Sequence, residues 1–143
     1  MKKIKASILM LLCLVCVLSL SACGNKTVEK YVDSHPEFVT NITDQFKDSG
    51  FEADVKIKKN TIKTTIDLSS KFENIDVTDE LKDTVVKSFD ESMDYMSNEM
   101  AAFIKEIQER SGAKNAKMKV SIVVNGETWA KYEFDENSES EYE

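Results

Sequence analysis

Few side chains in this sequence can do chemistry, and their placement narrows what that chemistry is. The 143 residues contain one His, three Cys and 26 Asp plus Glu against 19 Lys plus Arg, a formal net charge of −7. His35 lies within Ser34-His35-Pro36-Glu37, a helix-start pattern, so it reads as a solvated neighbour of a helix cap with no partner to make it a general base. One His cannot complete a Ser/His/Asp or Cys/His set, and a nitrogen or sulfur metal cage fails for the same reason. Asp135, Asn137 and Glu139 alternate like the opening of a calcium loop, but the central Gly and the Glu at the twelfth position are missing. These residues read as a solvated acidic tail, and no metal or other cofactor is expected. Met93, Met96 and Met100 offer adaptable contact surface, but their helical spacing assigns them first to a core. The net charge also excludes a basic nucleic-acid binder.

The remaining thiol chemistry concerns location. Lys2, Lys3 and Lys5 precede an apolar run from Ala6 to Leu20. That run is short of the about 20 residues a spanning helix needs and fits a secretory signal. It ends in Leu20-Ser21-Ala22-Cys23, which resembles the lipobox of bacterial lipoproteins. The resemblance implies cleavage between Ala22 and Cys23, with diacylglyceryl attachment (and palmitate-type acylation) at Cys23. Residues 1–22 are then a signal peptide and 23–27 a lipidated tether. Losing 22 residues, three of them Lys, leaves 121 residues with 16 basic and 26 acidic side chains, net −10. Cys13 and Cys16 leave with the signal, so no disulfide can form and the domain relies on its hydrophobic core. Two acyl chains anchor stably where one does not. The expected location is the outer face of the cell membrane, with the domain held close to it by a spacer of roughly 14 Å.

The elements that position the remaining candidates follow from periodicity. Val28, Tyr31 and Val32 predict a short first helix. Ser34 as N-cap, with Glu37 completing a capping box and Pro36 in the first turn, starts a second helix that carries Phe38, Val39, Ile42 and Phe46 and ends at Gly50. Phe51 to Leu68 predicts a hairpin with a two-residue Lys59-Asn60 loop, pairing Ile57 with Ile62, Val55 with Thr64, Ala53 with Ile66 and Phe51 with Leu68. A polar linker over residues 69–78 follows. The stripe Leu81, Val85, Phe89, Met93, Met96, Met100, Phe103 and Ile107 predicts a helix from Asp79 to Arg110. One continuous helix would be roughly 48 Å long against about 27 Å for an eight-residue strand. It must therefore overhang the sheet or break near Ser92–Ser97, and the continuous helix with an overhang is the expectation. Met118, Val120, Ile122 and Val124 form one apolar parity, and Ala130, Tyr132 and Phe134 another. An odd, three-residue or bulged turn around Asn125-Gly126 reconciles the two and puts Trp129 on the outer face. Residues 135–143 are acidic and poor in apolar side chains, predicting a disordered tail.

The expected fold is α+β: a two-layer sandwich over residues 28–134 in αββ-αββ order, a four-stranded antiparallel sheet with two helices on one face. By alternation its open face carries Lys56, Lys58, Lys63, Thr65, Lys117, Lys119, Ser121, Trp129 and Lys131, a basic strip on an acidic chain. Trp129, Lys131, Lys119 and Lys63 are therefore the candidate partner-binding residues, set against an ordinary solvated face whose Lys protect sheet edges. The lipobox, Tyr31-Val32-Asp33-Ser34-His35-Pro36-Glu37, Lys59-Asn60-Thr61 and Val124-Asn125-Gly126 resemble a family of small lipoproteins of Gram-positive, mostly clostridial, bacteria that is grouped as a domain of unknown function. That resemblance implies an envelope address and a fold and carries no catalytic signature. The functional expectation is a non-enzymatic, membrane-anchored binding or interaction module for a protein or envelope partner, with homo-oligomers open to it. The alternative is an inhibitor or immunity-type protein that binds a secreted enzyme, by analogy of fold. A carboxylate-only glycan hydrolase would need two acids facing across a cleft.

Overall fold

The computed structural model describes residues 27–141; the expected signal peptide over residues 1–22, Cys23 and most of the expected tether lie outside them. Helix α1 (Val28–Asp33) and helix α2 (Glu37–Asp48) precede the hairpin β1 (Glu52–Lys58) and β2 (Thr61–Asp67). A short 3-10 turn at Ser69–Lys71 leads to α3 (Asp79–Tyr95) and α4 (Ser97–Ser111), and the chain finishes with the hairpin β3 (Lys117–Val124) and β4 (Glu127–Phe134). The class is α+β, and the hydrophobic cluster that joins helices to sheet runs from Val28 to Phe134.

The hairpin register at Lys59-Asn60 is the predicted one, with Ile57 opposite Ile62, Val55 opposite Thr64 and Ala53 opposite Ile66. Phe51 falls just outside β1 and closes α2 instead. Its N–H donates to Phe46 O at 2.8 Å, and that of Gly50, at φ +83°, donates to Lys47 O at 2.9 Å. These are the two bonds of a Schellman cap, and the left-handed residue that it needs is the glycine.

Three expectations change. First, the sheet is mixed. The strand order is β1-β2-β3-β4, and β2 and β3 run parallel. Two hairpins in sequence favour antiparallel neighbours, but the helical connection carries the chain from the far end of β2 back to its near end, so β3 starts beside Thr61. Second, the long helix breaks. Met96, at φ −91° and ψ −1°, ends α3 and opens α4. Ser92 Oγ donates to Ser88 O and Ser97 Oγ to Met93 O, and such back-bonding by serines bends helices. The break removes the overhang and lets Met93, Met96 and Met100, each at most 4% exposed, enter one core. Third, Ser34 does not cap α2. It sits in the right-handed helical region and closes α1, with its hydroxyl on Lys30 O. With only three residues between the helices it cannot also take the extended N-cap conformation, and α2 begins directly after Pro36.

A hydrogen-bonded junction ties the first helix to one end of the sheet. Thr27 caps α1 by accepting from Lys30 N. Val28 N donates to Asn60 Oδ1 at 3.1 Å, Glu29 N to Lys59 O at 2.9 Å, and Lys59 N to Glu29 Oε2 at 2.7 Å. Asn60 also donates to Lys114 O and accepts from Lys117 N through its own carbonyl. One side chain therefore joins α1, the β1–β2 turn and the approach to β3. The segment beyond β4, expected from composition to be without fixed structure, lies against the helices through Glu141. Gln108 Nε2 donates to Glu136, and Ser140 N and Glu141 N donate to Asn98 and Asp94.

Candidate functional site

Alternation along the four strands separates two faces. Ile62, Ile66, Met118, Val120 and Ile122 are at most 3% exposed beneath the helices. Lys56, Lys58, Lys63, Lys117, Lys119 and Lys131 all stand exposed on the other side. The register sets Lys56, Lys63 and Lys119 directly opposite one another on β1, β2 and β3, with Glu133 completing the row on β4. Like charges in such cross-strand positions are destabilising, so fold stability does not explain the row.

The acids within reach neutralise only part of it. Glu133 lies 2.8 Å from Lys117 Nζ and 3.5 Å from Lys119 Nζ. Its carboxyl is held below the usual range first by the Lys117 hydrogen bond and charge, while Lys117 is raised in turn. Lys56 pairs with Asp54. Lys63 and Lys131 have no ion pair among the described residues. An open groove of about 420 Å3 lies between the rows, bordered by Lys63, Lys119, Lys131 and Glu133 and floored by the shorter Thr65 and Ser121. Three of the four candidate binding residues read from the sequence thus meet at one groove.

The fourth, Trp129, does not. The Asn125-Gly126 turn has two residues, with Val124 opposite Glu127 and positive φ of 50° and 79°, the type I′ geometry that Asn-Gly favours. The odd residue predicted for the turn sits inside β4: Ile122 faces Ala130 and Val123 faces Thr128, leaving Trp129 unpaired as a bulge. A bulge places two successive side chains on one side. Ala130, Tyr132 and Phe134 therefore point inward as expected, but Trp129 joins them and is only 9% exposed. It packs edge-on against Phe72, with ring centroids 5.3 Å apart, and Lys82 Nζ stands 5.8 Å from its ring centre. Lys82 also bonds Glu127 and holds that carboxyl down. The indole N–H makes a smaller contribution to Glu127 but meets no acceptor in full hydrogen-bond geometry. Trp129 is a packing residue, and no local pattern points to its partner Lys82, because that contact joins β4 to α3.

The other candidates are occupied locally. His35 Nδ1 lies 2.8 Å from Tyr31 O, so that nitrogen carries the proton and donates. Its ring stacks on Tyr31 with centroids 4.3 Å apart. Asp135 accepts from Asn137 N at 2.8 Å and so caps its own turn. Among the described residues no three His, Cys, Asp or Glu converge to hold a metal, and no helix is long and apolar enough to cross a membrane. Cys23 lies outside the described residues.

No curated protein and no solved structure matches this chain. A family model does match residues 28–134, the span that contains both hairpins, the four described α-helices and the hydrophobic cluster, and so the chain belongs to the family described as Domain of unknown function (DUF4854).

Proposed function

We propose that this protein is an extracellular lipoprotein of a Gram-positive-type envelope, anchored by a diacylglyceryl group on Cys23, whose open sheet face is a non-enzymatic binding surface. The observation that carries the binding reading is the groove bordered by Lys63, Lys119 and Lys131, two of which lack an acidic partner among the described residues. A solvated sheet face made only for solubility has no need to align Lys56, Lys63 and Lys119 across neighbouring strands. The anchor reading rests on the lipobox-like Leu20-Ser21-Ala22-Cys23. Thr27 follows within four residues of Cys23, and α1 is hydrogen-bonded to the β1–β2 turn. In this reading that end of the sheet faces the bilayer, with Lys58, Lys59, Lys114 and Lys117 near it.

Two experiments test the reading. Metabolic labelling with palmitate should tag the wild-type chain and leave Cys23→Ala unlabelled; equal labelling removes the anchor. The chain from Thr27 onward, whose hydrophobic cluster begins at Val28, should be retained on isolated cell envelopes. Retention should fall in Lys63→Gln/Lys119→Gln/Lys131→Gln and persist in Lys71→Gln/Lys87→Gln/Lys105→Gln, which removes equal charge elsewhere. Equal retention of both triple variants removes the binding face.

A further inference from the structure

We infer that the groove on the open sheet face binds a flexible polyol-phosphate chain, a phosphodiester polymer without aromatic bases. The inference rests on the binding reading above and adds the ligand class. The groove offers Lys63 and Lys119 on adjacent strands, Lys131 across from them, and the hydroxyls of Thr65 and Ser121 between; its one carboxylate, Glu133, is taken up by Lys117 and Lys119, which leaves Lys63 and Lys131 without an ion pair among the described residues. Two strand spacings and one two-residue step separate the α-carbons of Lys63 and Lys131, roughly 12 Å. This spans more than one anionic group, so a polymer fits better than a single ion. The cations are all lysines. Lysine ammoniums are mobile point charges that bind tetrahedral phosphate without a fixed bidentate geometry and so suit the successive anions of a flexible chain; the single Arg, Arg110, lies on α4 bonded to Glu106.

The ring systems of the domain argue against nucleic acid. Binding of single strands relies on aromatic side chains on which bases stack. Trp129 and Tyr132, the two rings of β4 nearest the groove, are turned to the helix side, one against Phe72 and the other bonded to Asp90. Tyr132 borders the groove, but its hydroxyl is bonded to Asp90 on α3, so the ring is committed to the helix side; the groove otherwise presents ammonium and hydroxyl groups and the one carboxylate of Glu133. A lipid bilayer is likewise disfavoured as its occupant, since no exposed large apolar side chain stands on this face; Ile75, Val77 and Tyr95 lie on the helical connection. The chain's net negative charge does not oppose the assignment. Asp79, Glu80, Asp83, Asp90 and Glu91 are exposed on α3, in the other layer of the sandwich.

The test is calorimetric titration of the chain from Thr27 onward with polyglycerol phosphate at low and high salt. Binding should weaken steeply with salt. It should weaken by about tenfold or more in Lys63→Gln/Lys119→Gln/Lys131→Gln, and stay near wild type in Lys71→Gln/Lys87→Gln/Lys105→Gln. Circular dichroism confirms that both variants are folded. Equal loss in the two variants overturns the inference, because the effect is then one of net charge. So does equally tight binding of a single-stranded oligonucleotide, of polyglutamate or of anionic vesicles, each at matched charge. If the first triple variant loses envelope retention while polyglycerol phosphate fails to bind, the ligand class is wrong and the binding face stands. If neither changes, the binding face falls as well.

Discussion

Replacing Thr64 by Val should stabilise the protein. Thr64 sits mid-way along β2 on the helix-facing side, 1% exposed, between Val55 on β1 and Val120 on β3. Its Oγ1 has no hydrogen-bond partner. Burying an unpartnered hydroxyl costs about 1–3 kcal/mol by mutational measures. Valine keeps the shape and the β-branch, so rotamer and strand preference are nearly constant and the substitution isolates the hydroxyl. The added methyl contributes about 0.8 kcal/mol of burial in place of the polar group. Together these predict a gain of about 1–2 kcal/mol. Urea unfolding should show the midpoint rising by roughly 1 M with an unchanged slope, and the thermal midpoint should rise by about 5 °C. Thr64→Ser, which keeps the hydroxyl and deletes the methyl, should instead lose about 1 kcal/mol. A Thr64→Val variant no more stable than wild type would refute the reasoning. It would mean that the hydroxyl is satisfied, for example by a buried water bridging to the neighbouring strand.

Four further outcomes follow from the same geometry. Trp129→Ala removes the packing against Phe72 and Lys82 and should cost about 3 kcal/mol in urea unfolding; the intact indole, the chain's single Trp, should show blue-shifted emission and weak quenching by iodide. Asn60→Ala deletes the bonds to Val28 N and Lys114 O and should cost about 1–3 kcal/mol, with hydrogen exchange accelerating first in α1. Lys59 holds φ +54°, so Lys59→Gly should relieve about 1 kcal/mol of backbone strain, read as a higher thermal midpoint. The Tyr132 phenol is pushed well above its ordinary value by burial and then by Asp90; the unfolded chain therefore releases that proton first, and stability should decline as pH rises above about 10. Tyr132→Phe should flatten this alkaline limb in urea titrations between about pH 9 and 11, and an unchanged limb would assign it to another group.

The parts of the fold that were legible in the sequence are those in which the cause lies within a few residues. Alternation at Val55, Ile57, Ile62 and Ile66 sets the first hairpin and its register, because a one-residue slip would turn the whole apolar set to water. Gly50 marks the end of α2 through its backbone freedom, with φ of 83°. The grouping of Lys63, Lys119 and Lys131 on the open face also follows from period-two alternation. The need for an odd residue near Asn125-Gly126 was legible as a parity conflict between Val120 and Tyr132.

Where that residue went was decided by tertiary contacts. Asn-Gly keeps its two-residue turn, so the extra residue moved into β4, where Phe72 and Lys82 receive the Trp129 ring. The parallel pairing of β2 with β3 likewise depends on the path of the chain between residues 68 and 116, which no local pattern encodes. The break at Met96 needed both a local weakness, the serines at 92 and 97, and a sheet too short to cover a straight helix. Sequence by itself determined which residues share a face, since side-chain direction follows from backbone period. The tertiary structure decided which faces meet, since that choice minimises exposed apolar surface over the whole chain at once.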